Sequence, residues 1–544
     1  KIFHSHNFFN RFLIPNSRLF RKNVLTFACI MIIPALTSFA NADVVYPAES
    51  YILSEDGLTL NTWKGSETDI DMNVDENLAK VKEIGNYAFE GKKLSSIVIG
   101  TKVEKLGNGA FFDCAGLKTV TFSGDVKTIG MACFSGCIML DNIVIPKTVT
   151  EIGNSVFYNC TSLTKIEIPA NVTALSDGLF NGCTSLSEVL LSDGVKTIGE
   201  ETFKLCQSLK QLSLPAGLLE IGTNAFTECS SLETIDFNAA LQTIGTSAFN
   251  NSGLKSVDLS KATALTSVGV NAFLDCTSLQ SLTLPPGNVS FKTSVFSGCT
   301  ALTEVAIPDT YTEIGVKMFY GCTSLSKVVI GKDVETIGNS AFFECTSLKD
   351  VMWNENLKTI EWSAFYGCTA LKELVLPESL EYMDNWVFQD CSNIEKVSIG
   401  SNVTHIGQEC FSGLPELKRM EIMAIVPPEL GSHTFHNTSV ESCELVVPDG
   451  SVEDYKAAEQ WKDFMLITAT SMPSIAVNSA PVVSVKGNRL CVENIHNGCT
   501  ISIYSASGQK LYSTQIANGT VEKELPSGVY IVNISGKPAK ILIR

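Results

Sequence analysis

Cysteine is the residue in this chain most able to do chemistry, and its spacing decides which chemistry. There are eighteen. Twelve recur at one fixed place in a repeated phrase: Cys114, Cys137, Cys160, Cys183, Cys206, Cys229, Cys276, Cys299, Cys322, Cys345, Cys368 and Cys391. Six lie elsewhere, at Cys29, Cys133, Cys410, Cys443, Cys491 and Cys499. Thiols so spaced can bridge, hold a metal or serve as packing. Neighbouring bridges need Cβ vectors that point at each other, whereas a repeat points them in parallel. A metal grip needs a paired CxxC or a histidine partner, and neither accompanies the row. The row therefore reads as buried free thiols, each a small hydrophobe with a weak donor; whether Cys133 and Cys410 pair stays open.

The six histidines are His4, His6, His405, His433, His436 and His496. His433 and His436 stand three apart but have no third ligand near them in sequence, so no metal site is expected. No Gly-rich phosphate loop, GxSxG elbow or HExxH occurs. No catalytic residue and no cofactor site is expected, and the chain does not read as an enzyme. A net charge of −17 and a pI near 4.9 argue against nucleic acid and anionic lipid, both of which need a basic face.

What positions the thiols is a phrase whose clearest copy is Thr150 to Pro169, with Ile152-Gly153, then Phe157, Cys160, Leu163 and Ile166-Glu167-Ile168-Pro169. A marker Phe recurs at Phe89, Phe111, Phe134, Phe157, Phe180, Phe203, Phe226, Phe249, Phe273, Phe296, Phe319, Phe342, Phe365, Phe388, Phe411 and Phe435, sixteen times at intervals of 22 to 24 residues. Such a period means a solenoid, here an α/β solenoid of about sixteen coils of 23 residues, numbered below by marker Phe. Ile-x-Ile is a short parallel strand with both Ile inward. Ile-Gly turns the chain, Ala-Phe opens a helical or 3₁₀ turn, and Thr-Ser-Leu returns to the strand. At roughly 4.8 Å per coil the stack is about 75 Å long. Coil 8 departs, with Ser252 in the Cys position and a short turn, offset by extra residues near Lys261-Ala262. Coil 10 has Ser290-Phe291 where Ile-Gly belongs.

The chain divides on this reading into 1–42, 43–82, 83–448, 449–471 and 472–544. The first segment holds Arg21-Lys22, an uncharged apolar run from Val24 to Phe39 and Ala40-Asn41-Ala42, the pattern of a secretory signal, behind an N-terminal extension. Residues 43–82 are the N-terminal cap, with a hairpin expected where Tyr51–Ser54 and Leu58–Trp63 flank Asp56-Gly57. Residues 449–471 are the C-terminal cap, a short helix from Val452 with Trp461 plugging the open core. In 472–544 short alternating strands at Ile501–Tyr504, Lys510–Tyr512, Val529–Val532 and Lys540–Ile543 predict a small all-β sandwich.

A solenoid offers its partners a long surface. On coils 10 to 13 the strand's outward position is apolar: Ala306, Val329, Met352 and Val375, beside Glu304, Lys327, Asp350 and Glu373. The position after the marker Phe holds Tyr320, Phe343 and Tyr366 on coils 11 to 13, with Trp362 and Trp386 in the same stretch. Exposed apolar and aromatic residues with a polar rim mark interaction sites, so these nine are the candidate partner surface.

The phrase Ile-Gly, Ala-Phe, Cys-Thr-Ser-Leu, Ile-Pro resembles the leucine-rich repeat of BspA-like bacterial surface proteins. That resemblance implies an adhesin-like protein at the outer-membrane surface or outside the cell. Its partners would be matrix or plasma proteins such as fibronectin and fibrinogen, or other cells. The alternatives are a glycan-binding or nutrient-capture protein, with Tyr320, Phe343 and Trp386 as sugar platforms, and a structural envelope component without a ligand. Ile503 to Lys510, Leu525 to Val532 and Lys540 to Arg544 resemble a type IX secretion sorting domain, which implies the type IX machinery as a further partner and removal of the tail after export.

Overall fold

The computed structural model describes residues 46–287, 289–470, 482–486, 489–495, 500–505, 509–515, 519–534 and 537–543. The signal-like segment 1–42, Cys29 and Cys499 lie outside the described residues.

The expected strand is present. Residues such as Lys165–Glu167 and Glu188–Leu190 pair in parallel with a shift of one coil, Ile166 opposite Val189. The two flanking branched residues of a coil point inward, Ile166 and Ile168 being buried while Glu167 between them is exposed, as period-two geometry requires. Ile-Gly does more than turn the chain. The residue pair ending in that Ile forms a second parallel ladder, Ala174–Leu175, Thr197–Ile198, Glu220–Ile221, Thr243–Ile244, Ser267–Val268 and Ser290–Phe291 in unbroken order. Phe291 thus fills the Ile position of coil 10, and the extra residues before Ser267 are absorbed without loss of register.

The third side of each coil is where sequence and structure differ. Of the helical or 3₁₀ turn expected at Ala-Phe, the structure has the tighter form as single i→i−3 turns, Tyr158 N to Ser155 O at 3.1 Å and Cys160 N to Phe157 O at 3.1 Å, which do not continue into a helix. Alternate amides instead reach the next coil, Ser155 N to Asp177 O, Phe157 N to Leu179 O and Asn159 N to Asn181 O, at 2.8–3.0 Å. This side is therefore also a hydrogen-bonded ladder. Its geometry requires a positive φ two residues before every marker Phe, filled mostly by glycine, serine and asparagine, by Tyr87, Ala132, Glu201, Lys317, Glu409 and His433, and in coil 14 by Trp386 at φ 60°. Among the described residues the one α-helix is Val452–Ala457, and no helix is long and apolar enough to cross a membrane.

The core is a continuous column. Successive marker Phe rings from Phe89 to Phe435 stack at 5.0–6.2 Å with planes within 19°. Beside it runs the thiol row. Each of the twelve thiols donates S–H to the carbonyl of the preceding coil's marker Phe, at 3.0–3.4 Å. That carbonyl already accepts one amide, so the thiol satisfies its second lone pair in a dry place. Ser252 holds the position in coil 8 and contacts Cys276 Sγ at 3.3 Å; Thr438 holds it in coil 16 and donates to Phe411 O. All sixteen described cysteines are free and buried, Cys133 and Cys410 included. Burial pushes the row's thiols up, Cys229 and Cys391 to about 12, because a thiolate would lose its hydration.

Both ends of the column are covered. Tyr51–Leu53 and Thr59–Trp63 form the expected antiparallel hairpin, and Trp63 stacks on Phe89 at 5.7 Å. At the far end Trp461 meets Phe435 edge-on at 5.3 Å and donates Nε1–H to Pro428 O. Residues 482–543 form antiparallel strands in two sheets around a separate core that includes Leu490, Ile503, Tyr530 and Val532. The four strands expected there are present, and three more, Val482–Lys486, Arg489–Ile495 and Gly519–Glu524, join them.

Candidate interaction surface

The nine candidate residues fall on two faces. Ala306, Val329 and Met352 lie in register on the paired strands Glu304–Ala306, Lys327–Val329 and Asp350–Met352. Val375 continues the row on the next coil, but its strand, Glu373–Val375, belongs to another sheet. The inward position after Met352 holds Trp353, whose ring sits edge-on to Phe365 at 5.5 Å, where other coils carry Ile or Leu. Met352 and Val375 are more than half exposed.

The other five sit on the turn face. Tyr320, Phe343 and Tyr366 are half-buried and stack face to face at 4.7 and 4.6 Å, with planes 4° and 5° apart. Their spacing follows from the coil rise: side chains at one position on adjacent coils stand one ladder step apart, the separation at which rings stack. Lys317 Nζ lies 5.8 Å from the Tyr320 ring centre. Tyr366 donates its O–H to Asp390 Oδ2 at 2.8 Å, and this bond, with partial burial, pushes its phenol up to about 12. Trp362 meets Trp386 edge-to-face at 5.3 Å, and Trp362 is 40% exposed.

Four features were not singled out from the sequence. Tyr382 stacks on His405 at 4.8 Å on the second ladder, with Glu429 4.0 Å beyond the imidazole; aromatic rings in a position that other coils fill with Thr, Glu, Ser, Lys or Ala were the available signal. Tyr87 and Phe112 make an edge-on pair at 6.4 Å on coils 1 and 2. In coil 3 the segment around Val144 makes only an isolated bridge, and Val144 is 76% exposed. Ile425, Val426, Met465 and Leu466 are exposed near the C-terminal cap. His433 and His436 lie with rings 6.0 Å apart in a shallow cleft with Glu459 and Asp463, and among the described residues no group of three metal-ligating side chains forms.

The repeat's two strand ladders, turn face and thiol row correspond to a known architecture. A family model described as the BspA type leucine rich repeat region matches residues 82–210, 196–326 and 312–442. The chain belongs to the BspA-type leucine-rich-repeat family. A leucine-rich repeat protein from Bacteroides ovatus is 28% identical over 68% of this chain and 92% of its own, with a TM-score of 0.55. A leucine rich cell surface protein from Faecalibacterium prausnitzii is also 28% identical, covering 70% of this chain and 95% of its own, with a TM-score of 0.37. No curated protein matches the chain. Leucine-rich-repeat arrays are in general scaffolds for binding.

Proposed function

We propose that this chain is an exported cell-surface protein that binds another protein, a matrix or plasma component or the surface of another cell, through coils 10 to 14. The observation that carries the reading is the surface aromatic column Tyr320–Phe343–Tyr366, flanked by Trp362 and Trp386. In coils 9, 10, 14 and 15 the same position holds Leu274, Ser297, Gln389 and Ser412, so the fold does not require an aromatic there. Large rings at partly solvated positions are the residues that dominate protein interfaces. Ring geometry favours protein over glycan. Sugars stack on exposed ring faces, and here the three faces are turned to one another, leaving edges outward. Membership of the family and the cell-surface description of the Faecalibacterium relative support a surface location.

The test is saturable binding of the full chain to immobilised matrix and plasma proteins and to a glycan array. Binding to one protein, lost in Met352→Glu plus Phe343→Ser with an unchanged melting curve, is the expected result. Silence on both surfaces from folded protein favours a structural envelope role. Export is proposed to run through the type IX machinery, with 472–544 as the sorting domain. Deleting those residues then leaves the protein inside the outer membrane, and surface display of the truncated chain refutes the assignment.

A further inference from the structure

The nine candidate residues lie on two faces that one compact partner segment does not cover together, so one face is the docking face. Three observations select the turn face, and together they specify the chemistry of what docks there.

The first is exposure against cost. Of five tryptophans, Trp63 and Trp461 close the core ends and Trp353 fills an inward position. The remaining two, Trp362 and Trp386, are on adjacent coils and touch each other. Trp386 occupies the position where all sixteen coils need a positive φ, and it is the largest residue found there. A bulky side chain in left-handed backbone is disfavoured by contact between its Cβ and the backbone, and packing does not call for it, since Ser340 and Ser363 fill the same position on the two preceding coils. A residue kept against its backbone preference is a signal of use.

The second is continuity. The positive-φ position and the position after the marker Phe are three residues apart across one hydrogen-bonded turn, as Gln389 N to Trp386 O shows. Side chains at the two positions reach each other: Lys317 lies against Tyr320 within coil 11, and Tyr87 meets Phe112 across coils 1 and 2. Trp386 therefore stands in the column next to the three rings, and Trp362, one position earlier in its own coil, touches it from coil 13 and extends the same aromatic face. The strand-face row lacks this continuity, being divided between two sheets after Met352.

The third is charge. On coils 12 to 15 the stretch from the second ladder to the thiol position, residues 337–345, 360–368, 383–391 and 406–414, carries Glu344, Glu361, Asp384, Asp390 and Glu409 and not one Lys or Arg. Among the described residues none of these five pairs with a cationic side chain. On the strand faces some carboxylates are matched by a lysine of the neighbouring coil, as Lys358–Glu335 and Lys418–Glu395 are. Around the aromatic residues of coils 12 to 15 the charge is thus one-signed and negative, with the cation Lys317 on coil 11 at its edge, which disfavours an acidic partner and steers a basic one.

We infer that the turn face of coils 12 to 15 is a docking site for a cationic, arginine-rich segment of another protein, whose guanidinium groups lie over Trp362 and Trp386 and pair with the surrounding carboxylates. Arginine fits better than lysine because its planar, weakly hydrated guanidinium both stacks on indole and forms forked bonds to carboxylate. The inference rests on the proposed protein-binding role and gives it a face and a partner chemistry.

The experiment uses the full chain and fluorescein-labelled nona-arginine, nona-lysine and nona-glutamate peptides at physiological salt, read by polarisation and by tryptophan quenching. Two variants separate the faces: Trp362→Thr with Trp386→Gly, both residue types native to those positions in other coils, and Met352→Glu with Val375→Glu. The expected result is saturable arginine-peptide binding, tighter than lysine, weakened at least tenfold in the tryptophan variant and not in the strand variant. Equal binding by wild type and tryptophan variant overturns the inference, because it reduces the interaction to the chain's general negative charge. Preference for the glutamate peptide, or no binding at all, also overturns it. Matrix-protein binding that is lost only in the strand variant overturns the inference while leaving the protein-binding role in place.

Discussion

Two aromatic columns run through coils 11 to 13, one residue apart in sequence. Phe319, Phe342 and Phe365 stack at 5.6 and 5.2 Å in the core, and Tyr320, Phe343 and Tyr366 stack at 4.7 and 4.6 Å on the surface. Ladder step and ring geometry are shared. What differs is necessity. The inner column runs through all sixteen coils, because a void the size of a phenyl ring would be left wherever it stopped. The outer one is confined to three coils, with Ser297 before it and Gln389 after it. Equal geometry therefore does not mean equal cause: the inner column is demanded by packing and the outer is permitted by it.

The largest expected effect belongs to the inner side. Burial raises the pKa of the row's thiols, so the fold holds them protonated. That contribution is complete below the ordinary thiol pKa of about 8.5 and is lost as pH rises from there toward the folded values. Each thiol removes up to about 1.4 kcal/mol per pH unit, and twelve act together. Melts by circular dichroism should thus fall steeply above about pH 9, while the outer column's Tyr366, held near 12, is a minor contributor. A melting temperature that stays level to pH 10.5 breaks this account of the thiol row.

Truncating one ring of each column sharpens the contrast. Phe342→Ala should cost roughly 3–5 kcal/mol, whereas Phe343→Asn, a residue native to that position in coils 5 and 8, should change stability by less than about 0.5 kcal/mol. Similar losses in urea unfolding would mean that the outer column is structural. Cys345→Ala should cost on the order of 1 kcal/mol through the lost bond to Phe319 O, and Cys345→Ser, which keeps a donor there as Thr438 does in coil 16, should cost less. The smallest effect is expected at Trp386→Gly. Relief of the left-handed backbone offsets the lost contact with Trp362, so the melting temperature should hold or rise slightly; a clear drop would show that this tryptophan is there for packing.

Legibility followed periodicity. The marker Phe, the Ile-x-Ile strand, the thiol position and the plugging Trp461 were readable because each recurs, or terminates a recurrence, at a fixed distance; that Trp63 plugs the other end was not. Phe291 in place of Ile-Gly looked like a fault and is a member of the second ladder, since that position requires an apolar side chain and an extended backbone, both of which Phe supplies. At Ala-Phe the tight turn was legible but its continuation as a ladder was not, because the local pattern does not reveal that alternate amides find acceptors on the next coil. Of the candidate surface, the residues were legible as deviations from the repeat, but their separation onto two faces was not.

The sequence by itself determined the period, the inward residues and the class of fold, because burial in a repeating coil imposes the same residue types at the same places in every copy. Only the tertiary structure decided which surface rings stack, where the strand sheet divides and which carboxylates go unmatched. Those outcomes depend on side chains 22 to 24 residues apart meeting across a hydrogen-bonded ladder, and the geometry of that meeting is set by the neighbouring coil.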